Sequence, residues 1–410
     1  MRSPTLLWFF AWPYCAACGD ARLEREHARA VDVTISAGRA GGGSGQGGSG
    51  PGGAGQGGAG NAAAPPELTR CSFALPYTYQ TGRGYWLGGD GTSSVALSES
   101  RALVAFQESF VGGPSKLSRV DSELSGSSVA RLSCLSGKLS VEYAWGGAGH
   151  EHAALFDDDA SDGVELRLQQ PWLTAGKLFF TATRVTRDDS GVTEHGTTLI
   201  RVDDPLAPIA EWQVEYFELT AQRASVGAGV AETSSDVFLF TTRGDELGLT
   251  RITKERLLAP TVSEGSLETL RADGTWGPGL ELDLSRRLGL PARAGLSVRH
   301  HAPSGRWLAL FTNTSVLPSA SISVSSALDL AGPWSTPTLV YTVPEMSTLS
   351  PEYRSGWVCS GAREHPAFNA LVDKELLFSY SCRPTNRASL LVEMSAFQPR
   401  VVRLGLPLSF

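Results

Sequence analysis

From about Leu68 to Phe410 the apolar residues come in short alternating or β-branched runs divided by turn dipeptides, and hardly any stretch keeps a helical period. Such a pattern predicts an all-β chain. The clearest strands are Ala102 to Phe106, Lys177 to Val185, Thr197 to Val202, Glu211 to Leu219, Val237 to Thr242, Trp307 to Phe311, Ile322 to Ser326, Leu376 to Ser381 and Val401 to Leu404. Between them stand turn signals at Asp90-Gly91, Asp162-Gly163, Ser190-Gly191, Asp273-Gly274 and Ser304-Gly305. So many short strands exceed one simple sandwich, which leaves a propeller or a large barrel. Ten Trp spread along the chain suit the first, since large aromatics fill the space between packed sheets. Val401 to Leu404, with nothing after it to pair with, is expected to complete a sheet begun near the N-terminal end.

Composition divides the 410 residues. Gly is concentrated in residues 41–60, GGGSGQGGSGPGGAGQGGAG, a flexible coil without an apolar anchor. Gly43, Gly45 and Gly48 match a dinucleotide fingerprint there, but no strand precedes them and no helix follows. Arg2, the apolar run Leu6 to Trp12 and Cys15-Ala16-Ala17-Cys18-Gly19 resemble a bacterial lipoprotein signal, with Cys18 as the lipidated residue. The expected organisation is therefore a signal peptide over 1–18, a Gly/Ala-rich tether over 19–66 and a folded domain over 67–410. Such a chain is exported, held to the cell envelope by its N-terminal lipid or secreted.

Cys71, Cys134, Cys359 and Cys382 remain, an even number suited to two disulfides in an oxidising compartment. Three pairings are possible; Cys359 with Cys382 is favoured because both lie in adjacent apolar segments. No CxxC pair outside the signal and no His-x-x-x-His gives a zinc site, and Asp157-Asp158-Asp159 with Asp162-Gly163 lacks calcium-loop spacing, so no metal or cofactor is expected. A net charge of −7 argues against a nucleic-acid partner and favours a neutral or weakly charged ligand bound by a monomer.

The most informative chemistry lies in YWLGGDGTSSVALSESRALVAFQESFVGG, residues 85–113. Asp90 sits in a Gly-Gly-Asp-Gly turn and the run Ala102 to Phe106 leads to Glu108, a spacing that brings both acids to one rim of an antiparallel hairpin. Glycosidic bond cleavage uses one carboxylic acid to protonate the leaving oxygen and one carboxylate to attack or to activate water. A plain turn aspartate and a solvated strand end are the competing reading of the same two residues. Serine-hydrolase chemistry has no foothold, because the folded part contains no Gly-x-Ser-x-Gly elbow.

Trp86-Leu87-Gly88-Gly89-Asp90-Gly91, Val95-Ala96-Leu97, Arg101 and Phe106-Gln107-Glu108-Ser109-Phe110 resemble the opening of the domain of unknown function 4185 family. Gly332-Pro333-Trp334-Ser335, Val340-Tyr341, Pro344-Glu345, Glu364-His365-Pro366 and Phe378-Ser379-Tyr380 with Asn386 continue the family's order. The resemblance implies a five-bladed β-propeller similar to arabinan-acting glycoside hydrolases, some of them endo-D-arabinanases, with the site at the central mouth. It maps the family's two aspartates onto Asp90 and Glu108 and implies polysaccharide as the partner. Gln107 and Glu108 stand where the family writes glycine and aspartate, and the longer acid changes the reach by about 1.5 Å. A non-catalytic surface propeller that binds glycan or protein is the alternative.

Around this pair, His365 with Glu364 is expected to bind a sugar hydroxyl or orient a carboxylate, and Tyr353 and Trp357 offer stacking faces to a sugar ring. Each has a plainer reading as a structural residue. Trp334 reads as packing after a turn, and His150 and His152 lie on one side of a Gly-rich loop.

Overall fold

The computed structural model describes residues 66–147, 153–157, 163–188, 191–244, 246–291, 295–313 and 321–406. The expected signal peptide with Cys18, the tether up to residue 65, and His150, His152, Asp158, Asp159 and Asp162 lie outside the described residues. Every strand expected from the alternation is a strand, with one shortened. Pro208 sets a 3-10 turn over Ile209–Glu211, so the strand expected from Glu211 begins at Val214 and runs to Thr220. No helix among the described residues is long and apolar enough to cross a membrane.

Five antiparallel sheets follow one another along the chain. The first comprises Ser93–Ala96, Arg101–Phe106, Ser128–Leu135 and Lys138–Ala144. In the second, Val164–Leu168 and Trp172–Thr174 both pair with Lys177–Asp188, followed by Gly191–Val202 and Val214–Thr220. The third starts at Ser225–Glu232, the fourth at Leu296–His301, and the fifth consists of Trp357–Glu364, Glu375–Pro384 and Arg400–Gly405. Contacts run from Ser93–Ala96 to the second sheet and onward through Ser225–Glu232, Leu296–His301 and Trp357–Glu364, then back to Ser93–Ala96, so the sheets close a ring.

Alternation explains the ring, because each strand sends successive side chains to opposite faces. Phe180 and Ile200 of the second sheet pack with Leu103, Ala105 and Val129 of the first, while Phe179 and Leu199 pack with Val230, Val237 and Leu239 of the third. Phe240 and Leu249 meet Ala309 and Phe311, and Leu310 and Val324 meet Leu376 and Phe378. Trp86, Trp145, Trp172 and Trp357 are buried, whereas Trp334 packs edge-on against Phe240 and donates from its indole nitrogen to the Leu330 carbonyl, 3.2 Å away.

Closure differs from expectation. Arg400–Gly405 pairs with Glu375–Pro384 in its own sheet rather than with an N-terminal strand. Side chains close the ring instead: Phe73, Leu75 and Trp86 pack with Val104, Leu132, Phe368 and Leu377. The Cys71–Cys134 disulfide ties this N-terminal segment to the first sheet, and Gln398, just before the last strand of the fifth, donates from Nε2 to the Leu75 carbonyl at 2.6 Å. The second disulfide, Cys359–Cys382, joins opposite positions of the fifth sheet, as favoured from sequence.

Outside the ring, Thr78–Gln80, Gly84–Asp90, Glu108–Gly113 and Glu123–Ser125 form a sixth sheet. Its two middle strands continue into Ser93–Ala96 and Arg101–Phe106, so one long hairpin serves two sheets and bends where it passes between them.

Candidate active site

Asp90 is the last residue before that bend and Glu108 the first after it, and the two stand opposite each other across the strand pair. Gly91 makes the bend with φ 60°, and a Cβ there would lie 2.4 Å from Gln107 Cγ, so glycine meets both the backbone and the packing demand. The Gln107 amide donates to the Asp90 carbonyl at 3.0 Å, keeping the strands together through the turn. Residues opposite on one face have Cβ atoms about 5 Å apart, so the carboxylates share one small space.

Two arginines of the second sheet approach Glu108. Arg187 Nη2 bonds Glu108 Oε1 at 2.5 Å, Arg167 Nη2 bonds the same oxygen, and Arg187 also reaches Glu165 at 3.4 Å. Glu108 is buried. Burial, and then the negative charge of Glu108, push the Asp90 carboxyl up to about 7, against the opposing pull of Arg383, Arg167 and Arg187. The pair is thus split: one acid is poised to hold a proton near neutral pH, and the other is clamped by two guanidinium groups.

A chain of uncharged polar groups continues from the pair between the sheets. Gln107 Nε2 donates to Gln169 Oε1 at 3.0 Å, Gln169 Nε2 donates to Thr183 Oγ1 at 3.1 Å, and Thr183 bonds Ser225. Gln107, which stands where the resemblance expects glycine, therefore covers Gly91 and joins the first sheet to the second. On the far side Arg363 is buried and donates to the Ala228 and Leu296 carbonyls, and burial lowers it to about 10, so it stays charged at neutral pH.

The remaining expected site residues stand elsewhere. His365 is fully buried: its Nδ1 bonds Ser94 Oγ and its Nε2 bonds Ser379 Oγ, both at 2.8 Å, and its ring stacks on Phe73 with centroids 4.1 Å apart. Burial, then the charge of Arg363, draw it down to about 3, so it is a neutral wedge between the fifth and first sheets with no edge open to a sugar. Glu364 is buried too, paired with Arg299 Nε at 2.8 Å, and burial raises its carboxyl. Trp357 is buried with Arg354 and Arg400 over its ring, at 4.6 and 6.0 Å, and Tyr353 is exposed on the preceding segment; neither joins the carboxylates.

Arg167, Arg187, Arg383 and Gln169 belong to the site and carry no local sequence signal, because strand arginines and glutamines are common and their meeting depends on how sheets are ordered. Among the described residues one group of potential metal ligands, Glu345 with Cys359 and Cys382, is otherwise engaged, since the cysteines form a disulfide and Glu345 pairs with Arg400 and accepts from Tyr380 at 3.1 Å.

No family model and no curated protein matches the sequence. Among solved structures, a Bacteroides ovatus protein provisionally assigned as a hydrolase is similar over 82% of this chain and 87% of its own, with TM-score 0.62 and 14% identity. At that identity the likeness is one of fold. Weaker similarity, too slight to bear on chemistry, extends to the endo-arabinase of Bacteroides thetaiotaomicron, at 12% identity over 82% of this chain and 99% of that one, with TM-score 0.43. The α-L-arabinofuranosidase of Podospora anserina is comparable, at 11% identity over 81% and 94% of the two chains, with TM-score 0.42.

Proposed function

We propose that the chain is an exported five-bladed β-propeller glycoside hydrolase that cleaves an arabinan-like furanoside polysaccharide with Asp90 and Glu108. The opposition of these two acids, one pushed to about 7 and the other held by Arg167 and Arg187, carries this reading. In it Asp90 is the general acid, giving its proton to the leaving glycosidic oxygen, and Glu108 is the carboxylate that faces the anomeric carbon. The ring of five sheets and the resemblance to the 4185 family support the propeller and its substrate class. Two disulfides fit an oxidising compartment, and the Cys18 motif supports a lipid-anchored export route.

A second reading, a propeller that binds glycan or protein without cutting it, draws on one observation. Both guanidinium groups bond a single Glu108 oxygen, which withdraws the electron density a nucleophile or base needs. Incubating the full-length protein with arabinan and analysing released oligosaccharides separates the two. Cleavage by the wild type that is lost in Asp90→Asn and Glu108→Gln supports the hydrolase; intact glycan from a panel of furanoside polymers leaves the binding reading standing.

A further inference from the structure

While Asp90 holds its proton, the charges around the carboxylate pair do not cancel. Arg167 and Arg187 are matched by Glu108 and Glu165, whereas the Arg383 side chain forms no hydrogen bond or ion pair among the described residues. Its guanidinium carbon lies 5.9 Å from the Phe397 ring centroid. Arg383 is exposed, yet close enough to Asp90 to act on its carboxyl electrostatically, and the two are not salt-bridged.

The surroundings hold Arg383 there. Ser381, two residues earlier on the same face of the strand, donates from Oγ to the Gly89 carbonyl at 3.3 Å, which fixes that strand to the turn carrying Asp90. Phe397 adopts φ 55°, an unfavourable region for an aromatic residue, and its carbonyl accepts the Gly89 amide at 2.7 Å while its ring lies under Arg383. A Cβ at Gly88 would come within 2.8 Å of that same carbonyl. Backbone strain of this kind persists where the surrounding structure imposes it, often at ligand sites. On the other side of the pair, Arg167 keeps a buried Nε–H without a partner among the described residues.

We propose that the glycan taken by this site carries an anionic group, a carboxylate or a phosphate ester, which Arg383 binds beside Asp90. The inference rests on the reading of this mouth as a glycan site and sharpens the neutral or weakly charged ligand expected from the chain's net charge of −7. Net charge describes the whole surface, while a ligand meets the local field at the mouth. A planar guanidinium with free donors matches both oxyanions, and its stack on Phe397 leaves its edge available.

Isothermal titration calorimetry on the full-length protein tests this without requiring cleavage. The probes are one neutral arabino-oligosaccharide, the same oligosaccharide bearing a uronate, and its phosphate ester. One or both anionic probes are expected to bind about tenfold more tightly than the neutral one, with the advantage falling as salt rises; the tighter of the two identifies the oxyanion. Arg383→Gln should erase the advantage of the anionic probes over the neutral one, while Arg383→Lys keeps part of it. Equal affinity for all three probes, no binding of any, or an advantage that survives in Arg383→Gln overturns the proposal. Failure of the hydrolase reading is seen separately, as intact glycan in the cleavage assay.

Discussion

Asp90 and Glu108 occupy opposite positions at the point where one hairpin leaves its sheet for another, and burial with the charge of Glu108 lifts Asp90 to about 7. The unfolded chain releases this proton in the ordinary carboxylate range. Between there and about 7 the folded protein binds more protons than the unfolded one, so Asp90 makes stability fall as pH rises through that window. Asp90→Asn removes the cost. Calorimetric scans should show the variant melting about 2 °C or more above wild type at pH 8, with no gain below pH 4; an equal shift at both would refute the assignment.

The same titration bears on rate. In the hydrolase reading Asp90 works protonated, so kcat/KM on arabinan should fall about tenfold per unit of pH above 7. Glu108→Gln should also draw the Asp90 carboxyl back toward ordinary values, because it removes the negative neighbour while Arg167, Arg187 and Arg383 remain. Carboxyl chemical shifts followed by NMR titration would reveal this; an unchanged midpoint in the variant would contradict the coupling.

Gly91 and Gln107 make a second test. Gly91→Ala places a methyl group against Gln107 Cγ and keeps an alanine at φ 60°, so a loss of about 2–3 kcal/mol is expected. Adding Gln107→Gly relieves the clash but not the backbone strain, and about half of the loss should return. Urea unfolding of both singles and the double gives the coupling. Additive losses would show that Gln107 does not press on this turn.

How much of this was legible follows from what is local. The alternation in Lys177 to Val185 and Thr197 to Val202 writes both the strands and the two faces that pack on different neighbours, so the all-β ring could be anticipated. Asp90 and Glu108 were found because a hairpin brings near residues together. Arg167 and Arg187 were not, since they lie 59 and 79 residues from Glu108 and arrive through sheet order. Glu364-His365-Pro366 looks like a binding motif in sequence; only the fold shows Phe73, Ser94 and Ser379 enclosing the ring. The closing strand was misjudged for a similar reason, because the side chains of residues 71–77 do the work expected of backbone pairing.

His365 supplies the remaining prediction, with a sign opposite to that of Asp90. Its folded value of about 3 lies below the ordinary imidazole value, so the unfolded chain takes up a proton first as pH falls. Stability from His365 is complete above about 6.5 and is lost as pH drops toward about 3. Over much of this range Asp90 gains what His365 loses, and the wild type should show a shallow dependence on pH. Each substitution uncovers the other group: Asp90→Asn should leave stability rising with pH between about 4 and 6.5, and His365→Asn should leave it falling. The second variant also strands the Ser94 and Ser379 hydroxyls, so it will be less stable throughout, and the sign of the slope rather than its level is the diagnostic. Urea midpoints at four or five pH values measure both slopes; the same sign in the two variants would mean that at least one of these two groups titrates elsewhere.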